Sequence, residues 1–255
     1  MLGIHLQVRP LLESLQDSVI YYRLIRTFGL GESVMETMLL PLIDGQTDPT
    51  LATYAKEGEC SLRIASKRAT KEEAIEAVDE MERKVREIIG DYIYSNNDED
   101  LINVVGKLLL EKNITISCAE SCTGGKLAAA LCEIPGISKV FERGIVTYSN
   151  RAKMEELGVK AGTLEKHGAV SPETAEEMVR GLAAKTGSDL CISITGIAGP
   201  DGGTEEKPVG LSYIGIAYKG EVKVVKNQRK SSGGRKWTQN AALLAMLYQI
   251  YCLIK

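Results

Sequence analysis

The sequence predicts two domains: an α/β domain with a mixed sheet flanked by helices, preceded by a smaller α+β domain. Three observations carry this. After residue 100, strand–turn–helix order recurs, which is the pattern of a largely parallel sheet covered by helices. Near the C-terminus two strand-like segments, Gly210–Tyr218 and Glu221–Lys226, follow each other directly and add an antiparallel pair. Between the halves, Ser95-Asn96-Asn97-Asp98-Glu99-Asp100 is too polar to bury much surface and suits a linker or a helix start, so the domains are placed at 1–96 and 97–255.

In the first part, Val19–Phe28 is rich in β-branched and aromatic residues and reads as a strand, broken by Gly29-Leu30-Gly31-Glu32-Ser33. Val34–Ile43 spaces its apolar residues like a helix, and Asp48-Pro49 precedes a hairpin of Thr50–Tyr54 with Cys60–Ala65, Gly58 serving the turn. Thr70-Lys71-Glu72-Glu73 is a capping-box pattern: hydroxyl and carboxylate, three residues apart, can each satisfy an orphan main-chain N–H. The helix it opens should reach Ile89 and end at Gly90, with Asp91–Tyr94 returning as an edge strand. In the second part, helices are expected at Leu101–Glu111, Gly124–Glu133, Ser171–Thr186 and Lys236–Leu253. Strands are expected at Thr115–Cys118, Gly144–Tyr148 and Leu190–Thr195, besides the pair already given.

A chain of 255 residues with 44% hydrophobic content can build such cores, so disorder should not dominate. Charge is uneven: residues 1–96 hold 11 Lys+Arg against 16 Asp+Glu, and the rest 20 against 18. An acidic front section repels a polyphosphate backbone, so broad nucleic-acid binding is not expected, whereas a small anion remains compatible with the second part. The six cysteines form no CxxC pair and have no histidines at zinc-site spacing, which reads as reduced, partly buried thiols. No stretch is long and apolar enough for a membrane span, and the start has no secretion signal, so the cytoplasm is the expected location.

Several segments can carry chemistry. Glu120-Ser121-Cys122-Thr123-Gly124-Gly125 follows a predicted strand and opens a predicted helix, where main-chain N–H groups suit a phosphate or a developing oxyanion. Gly124 and Gly125 would let a ligand approach closely; Ser121 and Thr123 add hydroxyls, although plain helix caps would use the same residues. Pro135-Gly136-Ile137-Ser138 leads into a strand ending at Tyr148, and Lys153 follows after a turn, so a hydroxyl and an amine can project into one cleft. His167 precedes Ser171-Pro172, an N-cap with proline at the first helical position, and is read as structural; the other histidine is His5. Thr195-Gly196 opens a loop with four glycines in nine residues at a strand end, where ligands collect in α/β sheets. Lys207-Pro208-Val209-Gly210 is a second rigid turn, and Arg235, after Ser231-Ser232-Gly233-Gly234, could fork two hydrogen bonds to a phosphate or carboxylate.

Together AESCTGG, FERGIVTYSNRAK, HGAVS, ITGIAGPDGG and KPVG, in this order, resemble the carboxy-terminal domain of the competence/damage-inducible CinA family over roughly Asn97–Lys255. FGLGES, PTLATYA, EGECSLRIA and IIGDYIY within Val19–Tyr94 resemble the KH-like middle segment of full-length members. The resemblance implies a CinA C-terminal-like α/β domain after an α+β KH-like domain, without the amino-terminal molybdopterin-binding-like domain of full-length members. It implies hydrolysis of nicotinamide mononucleotide to nicotinate mononucleotide and ammonia, with no cofactor and no metal, by a homodimer. The family's polar site residues match at Ser121, Ser138, Tyr148, Lys153, Thr195 and Arg235; the family's GDR is GGR here, which removes an acid beside the arginine.

Amide hydrolysis needs a nucleophile, a base and oxyanion donors. A serine attacking with Lys153 as base and Tyr148 relaying protons or positioning the ring supplies them, with Arg235 on the phosphate. Ser121 and Ser138 both stay open as nucleophile; the glycines beside Ser121 suit it to phosphate or oxyanion contacts, which tilts the choice to Ser138. A silent nucleotide-binding module tied to competence or DNA damage is the alternative. An RNA-binding role for residues 1–96 is disfavoured, because GLGES is not the GXXG clamp and the segment is acidic.

Overall fold

The computed structural model describes residues 18–56, 58–229 and 233–255; His5, Ser231 and Ser232 lie outside the described residues. Contacts divide the chain into two compact units, Met1–Glu99 and Asp100–Lys255, three residues beyond the boundary read from the sequence.

The first unit is α+β. Strands β1 (Val19–Thr27), β2 (Thr50–Lys56), β3 (Glu59–Arg68) and β4 (Ile93–Ser95) form one sheet in the order β2-β3-β1-β4, all neighbours antiparallel. Helices α1 (Glu32–Ile43) and α2 (Lys71–Ile89) bury Met35, Leu39, Val78, Val85 and Ile89 against Ile25, Leu62 and Ile64 of the sheet. The capping box forms as read: Glu73 N donates to Thr70 Oγ1 at 3.2 Å, and Thr70 N to Glu73 Oε2 at 3.2 Å. The expected strand Asp91–Tyr94 is corrected, because Gly90–Tyr92 continues α2 as a 3₁₀ turn and pairing begins only at Ile93.

The second unit is α/β with a mixed five-stranded sheet. Strands β5 (Ile116–Glu120), β6 (Phe141–Val146) and β7 (Leu190–Gly196) run parallel; β8 (Leu211–Tyr218) and β9 (Glu221–Gln228) extend the sheet antiparallel, giving the order β6-β5-β7-β8-β9. Helices α3 (Leu101–Glu111), α4 (Lys126–Cys132), α5 (Asn150–Leu157), α6 (Ala161–His167), α7 (Pro172–Thr186) and α8 (Gly234–Ile254) accompany it. Met178, Val179 and Leu182 of α7 pack with Ala119, Cys191 and Leu157, and Gly215 of β8 admits α7 so closely that a Cβ there would strike Ala175 O. Of the sequence expectations, α4 begins two residues late, since Gly124 and Gly125 sit at φ 65° and 96°, outside helical geometry. The strand expected at Gly144–Tyr148 lies earlier, at Phe141–Val146, so Thr147 and Tyr148 follow its end. Helices α5 and α6 have no counterpart in the sequence reading. No helix among the described residues is long and apolar enough to cross a membrane.

Candidate active site

The parallel strands β5 and β7 end side by side: Glu120 is level with Ile194, and Ser121 N donates to Ile194 O at 3.1 Å. Beyond these ends lies a cleft of about 280 Å³, lined by Ser121, Tyr148, Lys153, Thr195, Gly196 and Arg235 together with residues of the 197–202 loop. Position follows from topology, because the C-terminal ends of parallel strands leave a crevice that loops can line.

Lys153 is the most deeply buried charged side chain on the cleft lining. It projects from α5, which Ser149 caps by accepting from Ala152 N at 3.1 Å, and it is only 1% exposed. Its Nζ lies 3.0 Å from Ser121 Oγ, 2.9 Å from Thr147 O and 3.3 Å from Tyr148 O. Burial lowers its pKa from the usual 10.5, because the loss of hydration outweighs the opposing influence of Cys122. Cys122, missed as a lining residue, sits beside Ser121, and burial pushes its thiol up to about 12, so it is not a thiolate at neutral pH.

Arg235 stands at the start of α8, with Nη1 donating to Gly199 O at 2.7 Å and Nη2 to the exposed Tyr148 hydroxyl at 2.6 Å. Gln239, one turn on, donates to Cys122 O at 2.8 Å and ties the turn after β5 to α8. These contacts, like the position of Asp201 on the cleft, join segments more than a hundred residues apart in places and left no signal in the sequence.

Several expectations are corrected. Ser138 is exposed in the Ile137–Lys139 turn that precedes β6, at the end where the parallel strands begin. The five residues of β5 separate the two ends by ~16 Å at 3.3 Å per residue, so Ser121, not Ser138, meets Lys153 within this chain. Glu120 does not reach the cleft: its carboxylate, in a residue 1% exposed, accepts from Leu127 N at 3.2 Å and Ala128 N at 2.9 Å. The first-turn amides that the sequence offered to a phosphate are thereby occupied by the protein's own acid. Thr195 lines the cleft, but its hydroxyl donates to Ala169 O at 2.6 Å and braces the wall. Thr123 Oγ1 is buried without a hydrogen-bond partner and, with Gly124 and Gly125, lies in the turn behind Ser121 rather than on the cleft lining. His167 stays off the cleft, 3.4 Å from Glu173. None of the six cysteines is in a disulfide; Cys60, Cys118, Cys122 and Cys191 are buried, whereas Cys132 and Cys252 are exposed. Among the described residues no group of three or more His, Cys, Asp or Glu is placed to hold a metal ion.

Comparison with known proteins agrees with this architecture. The family model described as the CinA C-terminal domain matches residues 98–254, and that of the damage-inducible protein CinA KH domain matches residues 22–95. A CinA-like protein of Kosmotoga olearia is 47% identical over 240 residues, 94% of this chain and 58% of the relative. A relative from Clostridium acetobutylicum, named among the competence-damage inducible proteins, is 48% identical with the same coverage. This chain therefore spans little more than half the length of these relatives. Among solved structures, the competence/damage inducible protein of Agrobacterium tumefaciens is 37% identical, with a TM-score of 0.58, covering 62% of this chain and 98% of that one. A CinA superfamily protein of Escherichia coli is 34% identical, with a TM-score of 0.57, covering 61% and 89%.

Proposed function

This chain belongs to the CinA family, and we propose that its second unit hydrolyses the carboxamide of nicotinamide mononucleotide to nicotinate mononucleotide and ammonia. The observation that carries the reading is the buried pair Ser121–Lys153, 3.0 Å apart, with two main-chain carbonyl oxygens on the same amine. An uncharged amine has two N–H donors and one lone pair. With Thr147 O and Tyr148 O taking the donors, the lone pair faces the Ser121 hydroxyl, which is the geometry of a general base on a nucleophile.

In this mechanism Ser121 Oγ attacks the carboxamide carbon while its proton passes to Lys153 Nζ. The main-chain N–H of Cys122, the lining residue next to Ser121, is the oxyanion donor of this reading. Collapse of the tetrahedral intermediate breaks the C–N bond, the proton on Lys153 goes to the leaving nitrogen, and ammonia departs from a Ser121 ester. A water molecule then attacks the ester, giving its proton to Lys153, which returns it to Ser121 as the acid is released. Arg235 holds the phosphate: its hydrogen bonds to Gly199 O and Tyr148 use two of five N–H donors and orient the remaining three. The reading places the enzyme in the cytoplasm as a homodimer, which light scattering on the purified chain checks.

Ammonia release from nicotinamide mononucleotide is the direct test. Ser121→Ala should lower it at least ~1,000-fold, as loss of a serine nucleophile does elsewhere, and Ser138→Ala should leave it close to wild type. A wild-type rate in Ser121→Ala removes the mechanism. Nucleotide binding by calorimetry with no ammonia would make the unit a binding module instead.

A further inference from the structure

The loop from Ile197 leaves β7, lines the cleft with its first residues and enters β8 at Leu211, and its Lys207 has no part in the chemistry above. We propose that Lys207 is a positioning residue: its ammonium fastens this loop to the segment His167–Val170, whose Ala169 and Val170 line the cleft, and so sets the width of the space a ligand occupies.

The segment is held by its carbonyl groups. Lys207 Nζ donates to His167 O at 2.7 Å and to Val170 O at 2.8 Å. Between them, Gly168 O accepts from Thr174 Oγ1 at 2.8 Å and Ser171 Oγ at 3.2 Å, and Ala169 O from Thr195 Oγ1 at 2.6 Å. Four consecutive carbonyls are thus pinned by side chains. Of those side chains, only Lys207 comes from the loop; Ser171, Thr174 and Thr195 belong to the body of the domain.

The site of attachment has a physical reason. Helix α6 ends at His167, where the last carbonyls have no partner within the helix and where its dipole is negative, so a cation is favoured there. Among the described residues Lys207 forms no ion pair, so its charge is met by these carbonyl dipoles. A tight turn presents it: Thr204 N donates to Lys207 O at 2.9 Å, and Lys207 N to Thr204 Oγ1 at 3.0 Å. At Gly168, φ is 79° and an added Cβ would lie 3.5 Å from Nζ, so the ammonium rests against bare backbone. Ala169 and Val170 of that segment and Ile197, Ala198, Gly199, Asp201 and Gly202 of the loop all line the cleft. One cation spans them.

Lys207→Met keeps the length of the side chain and removes its donors. Two measurements test the proposal. Hydrogen–deuterium exchange should quicken on the order of tenfold in residues 167–170 and 197–209 of Lys207→Met while residues 121–125 keep the wild-type rate. With nicotinamide mononucleotide, a reading that rests on the function proposed above, KM should rise on the order of tenfold with kcat within about twofold, because Ser121 and Lys153 are untouched. Lys207→Arg, which again offers two donors, should bring KM back toward wild type. Unchanged exchange at 167–170, or a fall in kcat at constant KM, overturns the proposal. Should the wild-type chain release no ammonia, the functional reading fails, and the exchange measurement alone decides the role of Lys207.

Discussion

Lys153 is a long amine folded away from water with two carbonyl oxygens and a hydroxyl around it. In the unfolded chain it titrates near its usual 10.5, and burial lowers that value in the folded state. Between the two values the unfolded chain carries a proton that the folded chain lacks, so stability rises with pH there and falls as pH drops through the folded value. Urea unfolding of wild type and Lys153→Met across pH should therefore show the wild type gaining on the variant as pH climbs toward 10.5. A gap that narrows instead would mean the amine is held charged. Ammonia release should share the dependence, with an acid limb that follows the same titration. The sequence made this neighbourhood legible: Ser121, Tyr148, Lys153, Thr195 and Arg235 all reach one cleft. It did not make the direction of each side chain legible. Glu120 next to Ser121 and Thr195 at a strand end look like ligand contacts, yet both turn inward to main-chain groups that would otherwise be buried unpaired.

The placement of Lys153 depends on α5, and α5 depends on a glycine in another helix. Gly181 of α7 lies against the end of α5, where a Cβ would run into Leu157 O. Gly181→Ala should cost about 1–3 kcal/mol in urea unfolding, as overpacking does, and, under the proposed mechanism, should lower kcat by displacing the helix that carries Lys153. An alanine variant as stable as wild type would show that the two helices have slack. Elements with strong end signals were legible, such as α2 with its Thr70 box and α7 with Ser171-Pro172. Helix α5 was not, because Asn150–Leu157 spans about two turns and buries only Lys153 and Leu157, too few positions to show a period. The early start assigned to α4 failed for the opposite reason: Gly124 and Gly125 look permissive, but their positive φ makes them a turn.

At the scale of the molecule, each unit has its own sheet and its own buried cluster. Residues 100–255 alone should unfold cooperatively and release ammonia with the kcat/KM of the whole chain; loss of cooperative unfolding or of activity in that fragment would tie the chemistry to the first unit. The boundary was legible within three residues because Ser95 to Asp100 is polar. Asn97 to Glu99 nevertheless stay with the first unit, through Ser95 Oγ and the Arg26–Asp98 pair at 2.7 Å, contacts that composition does not reveal. One internal acid also shapes how a ligand is met. Since Glu120 answers the amides at the start of α4, that helix end lends no spare positive potential to the crevice, whose lining carries Arg235 and Asp201 as charges of opposite sign beside an amine pushed toward neutrality. So nearly balanced a rim has little monopole to project through water: a ligand is sorted on arrival, by where its own charges fall, and dissolved salt has small leverage over how quickly it gets there.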